Sequence, residues 1–194
     1  MKISFLLQTA GACLILFYSG YSQGQLQLRA FSGFANDQNL VLSIVRHDYA
    51  VIANQKGVFE WRGDSISPVL PRFPHAGSLI GQVKAFSPRN IWVFFQRSAR
   101  IYYSRISHFD GTRWRQIHAP QSNTLHTLSF LDSTRFFAAG GWGSVIYYNG
   151  QEAINLPSFP FVEINILQAF TSDHFYAHVQ LDYRDGNDDS RWLY

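Results

Sequence analysis

The sequence is short of cysteine and of charge. Its 194 residues include one cysteine, Cys13, and charged residues make up 15%. A chain with one thiol forms no internal disulfide and builds no cysteine metal cage, so its stability must come from packing. The formal charge is only +3, the basic residues are mostly arginine, and they are scattered. Without a basic run there is no electrostatic footprint for nucleic acid. Glu60, Glu152 and Glu163 are the only glutamates. No pair of acids can be read from them of the kind that glycoside hydrolysis holds across a sugar. Gly140-Gly141-Trp142-Gly143 is glycine-rich, yet no Lys-Ser/Thr follows it to hold phosphate and magnesium. A sustained helical period is also missing throughout.

What is present is ring surface. Aromatics reach 16%, which suits a β-rich chain with many buried rings. The runs that carry them are four to eight residues long, rich in β-branched and aromatic types, and bounded by Gly, Pro, Asn, Asp and Ser.

Residues 1–22 read as an export leader. Lys2 is the only charge, Ile3 to Phe17 is mostly apolar with Gln8 and Thr9 interrupting, and Gly20-Tyr21-Ser22 precedes a cut at Gln23. The apolar run is too short and broken for a membrane span; the alternative is an uncleaved anchor. Cys13 lacks the leucine of a lipid-modified site, and Leu14 to Phe17 continue the leader core. The mature chain, 23–194, is expected to be secreted or otherwise extracytoplasmic, with no membrane span once the leader is gone.

The mature chain repeats. Trp61-Arg62-Gly63, Phe109-Asp110-Gly111 and Tyr148-Asn149-Gly150 each close the third strand of a unit. Around them four apolar runs recur in the blocks 38–75, 76–121, 122–160 and 161–194. The first runs are Leu40 to Val45, Val83 to Phe86, Leu125 to Phe130 and Ile164 to Phe170. Proline ends the fourth run at Pro71, Pro120 and Pro157. Four strands per repeat of roughly 40–50 residues predict an all-β fold, a β-propeller of four-stranded antiparallel blades. A lone blade cannot bury both of its faces, which explains the unbroken apolar run Trp92-Val93-Phe94-Phe95.

The stretch Phe109 to Gly150 resembles the repeat of secreted bacterial β-propellers of the photosystem II assembly-factor and sialidase-repeat kinds. Those repeats read hydrophobic-Asp-Gly-x-x-Trp, a proline, then Phe, then Trp-Ala-hydrophobic-Gly-x-x-Gly. The match is good over one repeat and loose over the others, and it is specific to the fold rather than to an activity. After Tyr194 the pattern expects Asp/Asn-Gly, so blade four is read as incomplete and the chain as part of a larger propeller. The alternative is that Gln25 to Phe31 supplies the missing strand and closes a four-bladed ring.

Candidate chemistry is sparse. Asp185, Asn187 and Asp189 alternate as in a calcium loop, where side-chain oxygens converge on a hard cation. Ser190 stands where that loop has glycine, and a polar hairpin turn explains the same residues. Pro71-Arg72-Phe73-Pro74 resembles the Phe-Arg-Ile-Pro motif of sialidases. Pro157-Ser158-Phe159-Pro160 repeats its prolines one unit later without the arginine. Ser107 to Trp114 resembles an Asp-box, but its Asp and Gly are adjacent. His174 and His178 read as strand residues, four positions and roughly 13 Å apart, too far to share one metal. Turns between second and third strands should gather on one rim, bringing together Asn54, Lys56, Arg97, Arg100, Trp142 and 185–189. Lys56, Arg97, Arg100 and Trp142 are the candidate ligand-binding residues.

Together these features point to an exported, non-catalytic binding or assembly module that takes a protein or glycan on one rim. No catalytic residue and no cofactor is assigned, apart from a structural calcium ion at Asp185 to Asp189. The alternative is part of a sialidase-like glycan-processing enzyme whose catalytic residues lie partly outside this chain.

Overall fold

The computed structural model describes residues 6–9, 12–18, 26–31, 40–46, 48–54, 56–63, 65–70, 79–96, 104–117, 125–159, 162–181 and 190–193; for 6–31, 181 and 190–193 it describes the backbone alone. Strands β1 (Leu6–Thr9), β2 (Ala12–Tyr18) and β3 (Leu26–Phe31) form an antiparallel three-stranded sheet. β3 pairs with β2 along its length, Cys13 opposite Phe31 and Tyr18 opposite Leu26. The expectation that Gln25 to Phe31 completes blade four is therefore corrected: this strand's partner is its sequence neighbour, reached through a shorter connection.

Four further sheets follow as up-and-down meanders. Blade one is β4 (Val41–Arg46), β5 (Tyr49–Asn54), β6 (Gly57–Arg62) and β7 (Ser65–Leu70). Blade two is β8 (Leu79–Ser87), β9 (Asn90–Gln96), β10 (Arg105–Phe109) and β11 (Trp114–Ile117). Blade three is β12 (Leu125–Phe130), β13 (Phe136–Gly140), β14 (Val145–Tyr148) and β15 (Ala153–Asn155). Blade four has three strands, β16 (Val162–Ala169), β17 (Phe175–Leu181) and β18 (Ser190–Leu193). Each strand pairs only with the next, and the first strands β4, β8, β12 and β16 pack in succession. That is the β-propeller arrangement expected from the repeat, with its last blade one strand short and the ring unclosed among the described residues.

Burial follows from this stacking. The second strands are sandwiched on both faces, and Tyr49–Asn54 and Phe136–Gly140 are buried at every position. The fourth strands have no fully buried residue, and there Pro68 is tolerated because an outermost strand has a free edge. β8 is longer than its apolar run: a bulge between Ile80 and Gln82 interrupts the hydrophobic pattern at Gly81. The same bulge recurs between Ile164 and Ile166 in β16.

Three cores fill the gaps between blades. Tyr49, Val51 and Val58 meet Val83, Val93 and Phe95 between blades one and two. Trp92, Phe94 and Ile106 meet Leu128, Phe136, Ile146 and Tyr148 between blades two and three. Phe137 and Val145 meet Ile164, Leu167 and Val179 between blades three and four. Side chains also stitch the blades. The Ser43 hydroxyl accepts the Ala85 N–H at 2.8 Å, and the Ser129 hydroxyl accepts the Ala169 N–H at 2.8 Å. A first strand has one ladder partner, so N–H groups on its other edge need such an acceptor. Between blades two and three, Asn90 Nδ2 and Trp92 Nε1 both donate to the Ser133 carbonyl, at 3.0 and 3.2 Å.

Candidate functional site

Three of the turns that follow a first or third strand are built on one acidic or amide side chain. Asp110 Oδ1 accepts the N–H groups of Thr112 and Arg113, each at 3.0 Å. Asp132 Oδ1 does the same for Thr134 and Arg135 at 2.8 Å, and Asn149 Oδ1 for Gln151 and Glu152. These are Asx turns, in which the side chain replaces a backbone acceptor. The hydrogen bond from the Thr112 hydroxyl, with those from the Arg113 and Thr112 N–H groups, holds the Asp110 carboxyl well below the usual carboxylate range. At Asp132 burial alone would raise the carboxyl, but the Thr134 N–H and the Arg135 guanidinium outweigh it and lower it. The Asp-box-like sequence is thus a turn device, with its carboxylate fully engaged.

On this side of the molecule a cleft of about 600 Å³ opens between the outer strands of blade one and the turns of blade two. Blade one supplies Glu60, Arg62, Pro68 and Val69; blade two supplies Ser87, Pro88, Arg89, Phe109 and Gly111. The apolar wall is firm, because Phe109 stacks on Trp114 with centroids 5.3 Å apart, and Trp114 Nε1 donates to the Val69 carbonyl at 3.4 Å. Beneath it lies Tyr49, fully buried, with Arg62 5.5 Å from its ring centroid. Burial, and next the nearby Glu60 charge, push the Tyr49 phenol up to about 12, so it is neutral at any ordinary pH.

The two arginines of the cleft differ. Arg62 Nη2 donates to Glu60 Oε2 at 2.8 Å, and Ser67 donates to the other carboxylate oxygen at 3.3 Å. The hydrogen bond to Glu60 raises the Arg62 guanidinium further. Arg89 is exposed and makes no ion pair among the described residues. Its position depends on Gly111: a Cβ there would sit 2.7 Å from Cβ and Cγ of Arg89, and the glycine has φ +94°. The Phe-Asp-Gly phrase therefore makes a turn and leaves room for the Arg89 stem beside it.

Of the candidate residues read from sequence, the two that are described, Lys56 and Trp142, lie on the opposite rim, at turns between second and third strands. Lys56 is exposed in the β5–β6 turn. Asn54 is buried, and its Oδ1 accepts the Lys56 and Gly57 N–H groups. Trp142 is 65% exposed in a one-turn 3₁₀ segment, Gly141–Gly143, and has φ 56°, ψ 29°. A left-handed tryptophan is uncommon. The turn is held by the link to blade four, since the Phe159 N–H donates to the Gly143 carbonyl at 3.1 Å and a Cβ on Gly143 would overlap the Phe159 backbone. Arg72, Arg97, Arg100, Asp185, Asn187 and Asp189 lie outside the described residues. His178 is in β17, and His174 lies in the turn before it, where it meets Thr171.

Sequence reading missed the cleft because its members come from two blades and no linear spacing joins them. Arg62 was part of a repeat phrase and Arg89 part of a polar turn. The available signal was the pairing of Gly111 with the Arg89 turn of the same blade, which becomes legible only once the strand order is known.

No family profile and no curated protein matches the sequence. In fold the chain is similar to YCF48 bound to D1 peptide, with TM-score 0.59 and 13% identity over 99% of this chain and 72% of that one. It is also similar to YCF48 from Cyanidioschyzon merolae, with TM-score 0.54 and 13% identity over 89% of this chain and 64% of the other. These are propellers of the photosystem II assembly-factor kind, the kind that the Phe109–Gly150 repeat resembles.

Proposed function

We propose that this chain is an exported, non-catalytic propeller that binds a segment of another protein, and that the segment carries a carboxylate into the cleft between blades one and two. The observation that carries this reading is Arg89: an exposed guanidinium with no ion pair among the described residues, beside a fixed aromatic and proline wall. A guanidinium of that kind recognises carboxylates through paired hydrogen bonds, and the wall offers apolar contact to the flanking side chains. A propeller of the same fold has been solved with a peptide bound. Export rests on the leader at residues 1–22.

The glycan-processing alternative is less well supported. Glu60 is tied to Arg62 and Ser67 in blade one, whereas Glu152 and Glu163 are exposed in blades three and four. Asp110 and Asp132 are spent on their turns.

A fluorescein-labelled peptide with a Leu-Glu-Phe-Glu core, and its Gln-for-Glu counterpart, test the reading by anisotropy. The Glu peptide should bind, and Arg89→Ala should weaken it about tenfold, a loss of about 1.4 kcal/mol, whereas Trp142→Ser should leave it unchanged. Equal binding of both peptides, or binding that survives Arg89→Ala and fails in Trp142→Ser, would move the site to the other rim.

A further inference from the structure

Trp142 is the most exposed large apolar side chain among the described residues, and it stands at the tip of the β13–β14 turn of blade three. It is also the one non-glycine residue there with positive φ. A left-handed backbone is unfavourable for a residue with a Cβ. Packing does not repay that cost, because the indole makes no hydrogen bond or ring contact among the described residues. The turn is nonetheless fixed. The Gly140 N–H donates to the Ser144 carbonyl at 3.1 Å, the Ser144 N–H to the Gly141 carbonyl at 3.2 Å, and the Phe159 N–H to the Gly143 carbonyl at 3.1 Å. Gly141 and Gly143 are buried on either side. A strained residue held this firmly is a mark of a working surface.

We propose that Trp142 is the platform of a carbohydrate site, on which a neutral β-linked oligosaccharide of gluco configuration stacks. The surroundings support a neutral occupant. Residues 140–144 and 154–159 carry no charge. Arg135 and Glu152 belong to turns at the other end of blade three, and Lys56, on the same rim, belongs to blade one. Phe159, packed by its backbone against Gly143, adds a second exposed ring, and Ser144 and Ser158 add neutral hydroxyls.

A pyranose whose hydroxyls are all equatorial presents only C–H groups on each face. Those weakly positive hydrogens suit the negative face of an indole, and the hydroxyls at the ring edge meet neutral partners. Other occupants fit less well. A carboxylate ligand calls for a guanidinium, and an anionic lipid surface calls for clustered lysine and arginine. A proline-rich peptide docks in an aromatic-lined groove, whereas Trp142 stands on a projecting turn. The site is separate from the cleft between blades one and two, and stands whether or not that cleft takes a carboxylate.

Fluorine NMR of the whole chain labelled with 5-fluorotryptophan tests this. The five tryptophans give five resonances, and the Trp142 signal is the one lost in Trp142→Asn. Cellohexaose or chitohexaose, titrated to about 5 mM, a range suited to a site built on one ring, should shift that resonance saturably and leave the other four in place. Arg89→Ala should respond as the parent does. Asparagine accepts a left-handed backbone, so Trp142→Asn should melt no lower than the parent, yet saturation transfer from protein to saccharide should vanish. No shift with either saccharide, or saturation transfer that survives Trp142→Asn, would overturn the proposal. So would a shift caused by a proline decamer or by phosphatidylcholine vesicles but by neither saccharide. A Trp142→Asn variant that melts well below the parent would make the indole a structural group and would overturn it too.

Discussion

Blades two and four begin from nearly the same first hairpin and end in different surroundings. Phe86, Trp92 and Phe94 lie in a core with Phe130, Phe136 and Tyr148, and the Trp92 indole both packs and donates a hydrogen bond to Ser133. Phe170, Tyr176 and His178 occupy the same ladder positions, with Phe170 and Tyr176 exposed and His178 half-buried. A blade's register, bulge and serine clip are thus set within the blade and by the blade before it. What the next blade decides is whether its aromatic face is a core or a surface.

The largest expected effect separates the two faces directly. Trp92→Ala should cost about 3–5 kcal/mol, because it empties a packed site and removes one of the two donors to the Ser133 carbonyl. Tyr176→Ala, at the equivalent exposed position, should cost less than about 1 kcal/mol in dilute protein. Urea unfolding at low concentration reads both; similar losses would mean that the blade-four face is buried in solution.

The serine clips should give a smaller and symmetrical effect. Ser43→Ala leaves the Ala85 N–H without its acceptor, and Ser129→Ala does the same to Ala169. Each should cost about 1–3 kcal/mol, the usual penalty for a buried donor left unpaired. A clear loss at one junction and none at the other would break the equivalence of blades two and four.

The smallest effect is a pH dependence that belongs to blade two alone. His108 stacks on Trp92 with centroids 4.0 Å apart, and Nε2 meets Asn90 Oδ1 at 3.0 Å. Burial, then the Arg115 charge, hold its imidazole below the ordinary 6.5. As pH falls through 6.5 the unfolded chain takes up the proton first, so folded stability declines from there downward. His108→Phe keeps a ring on Trp92 and removes the titration. It should flatten thermal stability between neutral pH and pH 5 relative to the parent, and parallel curves would show that His108 plays no part.

How much of this was legible in the sequence differs by level. The strand order was, because Gly63, Gly111 and Gly150 all have positive φ and close the third strands at the turns where the repeat phrase placed them. That the described residues of blade four give three strands was legible too, as a repeat phrase left unfinished after Tyr194. The full length of β8 was not, because the bulge at Gly81 breaks the period-two pattern that marks a strand. The cleft was hidden for a different reason. Arg62 and Arg89 come from different blades, and their approach depends on inter-blade packing, which leaves no spacing in the chain. Trp142 was legible as an exposed tip, but its left-handed backbone was not, since that conformation is imposed through Gly143 by the Phe159 backbone.

Hydrogen exchange of this chain in dilute solution tests the central comparison most directly. Amides of residues 79–96 in blade two should exchange slowly, because both faces of that blade are covered by its neighbours. Amides of residues 162–181 in blade four should exchange faster, because Ile166, Phe170 and Tyr176 leave one face exposed. Exchange in 162–181 as slow as in 79–96 would contradict the account.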